Sequence, residues 1–214
     1  MKILSTLPRA RKAAFTLIEL LVVISIIAVL AAASVGGYGK IVEGVRRKEA
    51  TIISIALANG VEQFYSDYNR LPKSVSSSAG EDAETSTESS EEVIKVLIGK
   101  EGESEKLQNP RNTNYLEGLK QAKPAPKGKK AVAGGSSKWV NGLADEDGEY
   151  SVVDGWGNYY KMKLDSDYDG KIDNPNIKAV ADGVKDVIKR VIVWSPGKDG
   201  KEETWEDNVM SFGQ

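Results

Sequence analysis

The chain has 214 residues, room for one ordinary domain and an anchor, and its 28% charged fraction is normal for a folded protein. It has no cysteine and no histidine, which excludes disulfides, thiolate nucleophiles, imidazole bases and the usual zinc ligands. The net charge of −2 hides an asymmetry: Met1–Ala14 holds Lys2, Arg9, Arg11 and Lys12 and no acid, so the remaining 25 basic residues face all 31 acidic ones. A basic segment just before an apolar run is a targeting or topology signal, because positive flanks stay in the cytoplasm.

From Leu17 to Ala33 the sequence is apolar apart from Glu19 and Ser25. Carried on to Tyr38, a helix here is about 33 Å long at about 1.5 Å per residue, enough to span a bilayer. A cleaved secretory signal, cut after the small residues Ala31 and Ala33, competes with a retained membrane helix. The continuation favours the second: Tyr38, Val42, Val45, Ile53, Leu57, Val61, Phe64 and Tyr68 recur mostly three or four apart, with charges on other faces. The pattern predicts one helix from Phe15 to about Asp67, stopped by Asn69 and Pro72. Glu19 lies inside the apolar half, where an ionised carboxylate costs roughly 2.5 to 3.5 kcal/mol at the bilayer centre, so it marks a function.

Residues 73–138 are compositionally loose, a Ser/Glu-rich stretch followed by a Lys/Pro/Gly/Ala-rich one. A short helix is predicted at Ser90–Ile98, with Ser89 and Glu92 at capping-box spacing. Lys120, Lys123, Lys127, Lys129 and Lys130 cluster, but no aromatic residues interleave them to stack bases, so a solvated loop is read instead of a nucleic-acid surface. Residues 139–214 carry strand signals. Tyr160, Met162 and Leu164 alternate with Lys161 and Lys163, and Arg190–Trp194 (RVIVW) reads as a more buried strand. Ile177–Lys189 fits either a helix, by Val180, Val184, Val187 and Val191, or a hairpin turning at Asp182 and Gly183.

The segment Lys12–Ala32, KAAFTLIELLVVISIIAVLAA, resembles the N-termini of type IV prepilins and of type II secretion pseudopilins. The resemblance implies cleavage between Ala14 and Phe15 by a membrane prepilin peptidase, which then methylates the Phe15 amine; Ala14 stands where the family usually has glycine. It also implies an assembly contact between Glu19 and the Phe15 amine of another subunit. At about 4 Å and an effective dielectric near 20 that attraction is roughly 4 kcal/mol, more than the insertion cost. Two further stretches, FYSDYNRLP (Phe64, Tyr65, Arg70, Pro72) and DGWGNYY (Asp154, Trp156, Gly157, Asn158, Tyr160), are similar to motifs of the major pseudopilin family, general secretion pathway protein G, with Gly155 in place of proline. Trp156 and Tyr160 are expected to pack the sheet on the helix.

Two acidic loops are candidate cation sites. In DSDYDGKID, Asp165, Asp167, Asp169, Gly170 and Ile172 fall at positions 1, 3, 5, 6 and 8 of a calcium loop, with Asp173 following and Asn176 at position 12 where a bidentate Glu is expected. A strand precedes it, so it is no helix-loop-helix hand, and a solvated acidic turn is the competing reading. SPGKDGKEETWEDNVMSF resembles the family's C-terminal calcium loop, matching at Ser195, Gly197, Asp199, Gly200, Thr204 and Asp207, with Asn208 in place of an acid; a structural loop competes. In a cysteine-free exported domain calcium would supply the stapling that disulfides give elsewhere.

The expected fold is α+β and pilin-like: a basic leader (1–14) that is cleaved, a transmembrane helix half (15–38), an amphipathic helix half (39–72) packed on a small antiparallel C-terminal sheet (139–214), and a variable insertion (73–138). The resemblance implies a structural pseudopilin, single-pass in the inner membrane with its C-terminal domain in the periplasm. Its partners would be other pseudopilin subunits, the prepilin peptidase/methyltransferase, the inner-membrane assembly platform and membrane lipid. A type IV pilin or minor pilin for adhesion, motility or DNA uptake is the alternative. A membrane-tethered enzyme would need paired carboxylates or a Ser/Lys centre, and the acids here are grouped as oxygen cages instead.

Overall fold

The computed structural model describes residues 15–73, 82–85, 87–102, 106–125, 137–176 and 185–212. The chain divides into one unit ending at Glu43 and another beginning at Gly44. Helix α1, Leu17–Tyr68, runs through both. In the first unit the large apolar side chains from Leu17 to Leu30 are exposed, none of them less than Val23 at 46%. Among the described residues no helix is long and apolar enough to cross a membrane. The run Leu17–Ala32 rises about 24 Å at about 1.5 Å per residue, against a hydrocarbon core of about 30 Å. The side chains of 33–38, on which the longer span from the sequence depends, lie outside the described residues.

In the second unit α1 turns amphipathic. Ala50, Ile53, Leu57, Val61 and Phe64 are buried at spacings of three and four, one face of the helix. Asn69 ends it in the left-handed conformation (φ 51°), its N–H donating to the Tyr65 carbonyl at 2.7 Å, and Pro72 keeps the chain from resuming. Gly60, on the buried face, lets another loop approach: a Cβ there would stand 2.6 Å from Leu116 Cδ2 and 3.3 Å from the Tyr115 carbonyl.

The buried face of α1 shares one apolar cluster with a second helix and a sheet. Strand β1 (Ala83–Glu84) leads to α2 (Thr87–Leu97), whose Val93, Ile94, Val96 and Leu97 are all buried. Then come β2 (Lys123–Pro124), β3 (Trp139–Val140), β4 (Gly142–Glu146), β5 (Glu149–Val153), β6 (Lys161–Leu164), β7 (Ile172–Asp173), β8 (Asp186–Val187), β9 (Val191–Ser195) and β10 (Val209–Met210). The main sheet is antiparallel, in the order β1-β6-β9-β10. Strand β6 alternates, with Met162 and Leu164 buried, as a strand with one covered face should. Strand β9 is buried at every position. Its Val191 and Val193 join the main cluster, while Ile192 and Trp194 join a second one with Ile172 and Phe212, which is why RVIVW shows no alternation in the sequence.

Helix plus small antiparallel sheets make the protein α+β, as expected. Helix α1 starts at Leu17 and ends at Tyr68, and α2 begins at Thr87 instead of Ser90. Within 177–189 the open choice resolves where the chain is described: Asp186 and Val187 form a strand paired with Asp173 and Ile172. Residues 177–184 lie outside the described residues. The β4–β5 hairpin is set by Asp147 (φ 53°) and Gly148 (φ 88°), the left-handed pair that a two-residue turn matching the strand twist requires. Tyr160 secures helix to sheet by donating its hydroxyl to the Ala50 carbonyl at 3.1 Å.

Candidate functional site

Phe15 is 79% exposed just ahead of α1; Ala14, its partner across the predicted cut, lies outside the described residues. Glu19 is not idle in its own chain. Its Oε2 accepts the Thr16 N–H at 2.8 Å and the Thr16 hydroxyl at 2.7 Å, and its own N–H donates to Thr16 Oγ1 at 3.3 Å. This reciprocal cap satisfies N–H groups that a helix start leaves without intrahelical partners. Thr-x-x-Glu at the mouth of an apolar run is a sequence signature, so Thr16 was findable from the sequence. Glu19 thus has a local role beside any contact with a second subunit: it sets where α1 begins, two residues beyond Phe15.

The DGWGN segment and the start of the C-terminal loop meet at Asp154, which is fully buried. One carboxylate oxygen accepts the N–H groups of Trp156 and Asn158, both at 2.8 Å. The other accepts the Ser195 hydroxyl and, at 3.0 Å, the Asn158 side-chain amide. Asn158 donates also to the Gly197 carbonyl, whose N–H returns to Ser195 Oγ at 3.0 Å. Burial pushes the Asp154 carboxyl up, opposed by the hydrogen bonds from Ser195, Asn158 and Trp156. Every donor is a neutral group within the core, so this node locks two segments together and offers no reacting atom to solvent. Trp156 and Tyr160 sit in the main core at 0% and 2% exposure.

The first acidic loop follows β6. Asp165, 2% exposed, folds back to accept the N–H groups of Asp169 and Gly170, both at 3.1 Å, and Gly170 takes a left-handed turn (φ 82°). Asp167 also accepts the Asp169 N–H, and Asp169 accepts that of Lys171. A residue that the sequence analysis did not select completes the group. Carboxylate oxygens of Asp82, Asp165 and Asp167 lie within 4.8 Å of one another, the group of three acids converging this way among the described residues. Register explains it: β1 pairs with β6 so that Ala83 faces Leu164, which carries Asp82 to the level of Asp165. No local spacing could have announced that pairing. Asp169 and Asp173 line the adjoining cavity of about 550 Å³ with Asp186, Lys163, Lys171 and Lys185.

Asp82 accepts the Asp173 N–H at 3.2 Å, and its Oδ2 is 3.9 Å from the Lys163 ammonium; its Oδ1 is buried and without a hydrogen-bond partner among the described residues. Burial raises the Asp82 carboxyl above the usual Asp range, against the Asp173 N–H and Lys163. Burial likewise raises Asp165, helped by its hydrogen bond and charge repulsion with Asp167. The donors are all oxygens, and separations up to 4.8 Å suit a calcium ion with about 2.3 to 2.6 Å to each ligand.

The second acidic loop is closed differently. The Asp199 carboxylate accepts the Thr204 hydroxyl at 2.6 Å and the Lys201 N–H at 2.9 Å, while Asp207 accepts the Asp199 N–H at 3.0 Å. The Thr204 hydroxyl, then the Lys201 N–H, hold Asp199 below the usual Asp range. Gly197 (φ 69°) is essential to the closure, because a Cβ would fall 2.1 Å from the Asp207 carbonyl oxygen. Asp199 and Asp207 therefore share one loop, with no third acid converging on them among the described residues. Of the lysine cluster, Lys120 and Lys123 are described; Lys127, Lys129 and Lys130 lie outside the described residues.

Residues 9–35 match the family model for the Prokaryotic N-terminal methylation motif. The match spans the end of the basic segment, the predicted cut and the first turns of α1, and it supports a type IV pilin-like or pseudopilin protein without separating the two. No curated protein and no solved structure matches the chain.

Proposed function

We propose that the protein is a structural pseudopilin of a type II secretion system, processed at its N-terminus and assembled into a pseudopilus that drives protein export. The observation that carries this is the methylation-motif match over residues 9–35, placed directly on the exposed Phe15 and the Thr16–Glu19 turn. In this reading the prepilin peptidase cuts between Ala14 and Phe15 and methylates the new amine, and Glu19 meets the Phe15 amine of a neighbouring subunit. The apolar first part of α1 anchors the chain in the inner membrane, with lipid and the assembly platform as partners, and the C-terminal domain lies in the periplasm. The exposed surface from Leu17 to Leu30, apolar but for Glu19 and Ser25, supports an environment other than water. In this reading the role is structural and not enzymatic, and the Asp154–Ser195 pair, both residues buried, serves to hold the fold. Intact mass of protein purified from its host tests the reading: the expected product lacks Met1–Ala14 and carries one added methyl. An intact leader, or a start at Ser34, refutes it.

A type IV pilin or minor pilin is the second reading, since the same motif serves both. The DGWGN segment and the Ser195–Asp207 loop favour secretion. Deleting the gene separates them, by loss of exported proteins or loss of twitching.

Calcium is proposed as the bound ion of the first acidic loop, held by Asp82, Asp165 and Asp167 with Asp169 and Asp173 beside them. The buried, unpartnered Asp82 oxygen supports this. When bound, the ion would supply positive charge that joins β1 to the loop after β6. At Asp199 and Asp207 calcium is proposed as the weaker case, because no third acid converges on them among the described residues.

A further inference from the structure

One residue of the first acidic loop has a backbone that its own burial does not account for. Tyr168 takes the left-handed conformation (φ 60°), which is unfavourable for a bulky side chain, yet its side chain belongs to a residue 49% exposed. Backbone strain of this kind persists only where the surroundings over-determine it. Here they do so from two sides. On the loop side, Asp165 and Asp167 hold the N–H groups of Asp169 and Gly170, the two residues after Tyr168. On the other, the Tyr168 hydroxyl accepts the N–H of Leu71 at 3.1 Å, and its ring lies 6.5 Å from that of Tyr65. Leu71 is buried at 3% exposure just past the end of α1, where the stopped helix supplies its amide no partner. Tyr65 is itself held: the Arg190 guanidinium sits 4.4 Å from its ring centroid and pairs with Glu62 at 3.2 Å.

We infer that Tyr168 is a positioning residue that ties the Asp165–Asp173 loop to the C-terminal end of α1, so that a cation held by the loop also orders the chain at Leu71. The tether stands on the contacts above, and its cation half rests on the calcium reading. Tyr168 lies between Asp167 and Asp169, so drawing those acids in towards an ion fixes the backbone from which the tyrosine reaches Leu71. By linkage the coupling is reciprocal: what calcium adds to the Leu71 contact, that contact adds to calcium affinity.

The test uses the full chain in detergent micelles with calcium chloride as the probe, reading amide exchange at Leu71 and calcium affinity by titration calorimetry. In the wild type, calcium is expected to slow Leu71 exchange about tenfold, a coupling of ordinary size. Tyr168→Phe, which keeps the ring and removes the accepting oxygen, should exchange Leu71 fast with or without calcium and bind calcium more weakly by a similar factor. Asp165→Asn should lose calcium binding and exchange Leu71 at the calcium-free wild-type rate whether or not calcium is added, still slower than Tyr168→Phe. Equal Leu71 exchange in the calcium-free wild type and Tyr168→Phe overturns the tether. Equal calcium affinity in the two overturns the coupling and leaves the calcium reading standing. A wild type that binds no calcium overturns the calcium reading and the cation half with it, while the calcium-free exchange comparison still decides the tether.

Discussion

The loop Asp165–Asp173 and the loop Ser195–Asp207 are both short, acidic and turned at glycine, yet their carboxylates are employed differently. In the first, three carboxylates from two distant segments converge, and one buried oxygen has no hydrogen-bond donor among the described residues. In the second, the acids are met by Thr204, by backbone N–H groups and by a turn that only Gly197 can make. Aspartate content alone does not mark a cation site. The deciding feature is the third carboxylate that folding brings in, Asp82 with its buried donor-free oxygen, since Asp165 and Asp167 accept backbone N–H groups just as Asp199 does.

The largest expected effect breaks the second loop at its root. Asp154→Ala strands the donors of Trp156, Asn158 and Ser195 inside the core and should cost about 3 to 5 kcal/mol, measured by urea unfolding. If the variant unfolds at the wild-type midpoint, the node is not what holds the loop. Next comes Gly197→Ala, which meets both a left-handed backbone and the Asp207 carbonyl at 2.1 Å. A loss of about 2 to 4 kcal/mol is expected from the two together. Calcium itself follows: at about one hundred times its dissociation constant, it should stabilise the folded chain by about 2.7 kcal/mol. That gain should vanish in Asp82→Asn or Asp165→Asn and survive in Asp199→Asn, with melting temperature in calcium against chelator as the readout. Loss of the gain in Asp199→Asn alone would move the ion to the other loop.

The smallest effect is in pH. Asp82 and Asp165 are raised in the folded chain, so they bind protons more tightly folded than unfolded. The stability that protonation adds is fully present below the unfolded value and is lost as pH rises through the folded one. In chelator the melting temperature should therefore climb as pH falls from 7 towards about 4, the usual Asp range. Asp199 is lowered and acts in the opposite sense, but only below that window. With calcium bound the rise should flatten or reverse, since protons then compete with the ion. An identical pH profile in calcium and in chelator would place the ion elsewhere.

Much of the fold was legible in the sequence because it is local. The apolar spacing of Ile53, Leu57, Val61 and Phe64 announces the buried face of α1, and the alternation at Met162 and Leu164 announces β6. The β4–β5 hairpin is equally legible in Asp147–Gly148, and the helix cap in the Thr-x-x-Glu spacing of Thr16 and Glu19. Helix α2 lies in a region whose composition reads as loose, yet Val93, Ile94 and Leu97 are buried in the main core. Flanking serines and glutamates dilute the average composition, while burial depends on one helix face.

By itself the sequence determined what depends on residues close together in the chain: a basic segment followed by Phe15 and Glu19, the end of α1 at Asn69, and two glycine-bearing acidic turns. Such features arise from backbone geometry and spacing within a few residues. Tertiary structure alone decided which acids meet. Asp82 reaches Asp165 through the antiparallel register of β1 on β6, and Tyr168 reaches Leu71 across nearly a hundred positions of chain. Those pairings are set by how strands and helix pack on a shared core, and no local spacing encodes them.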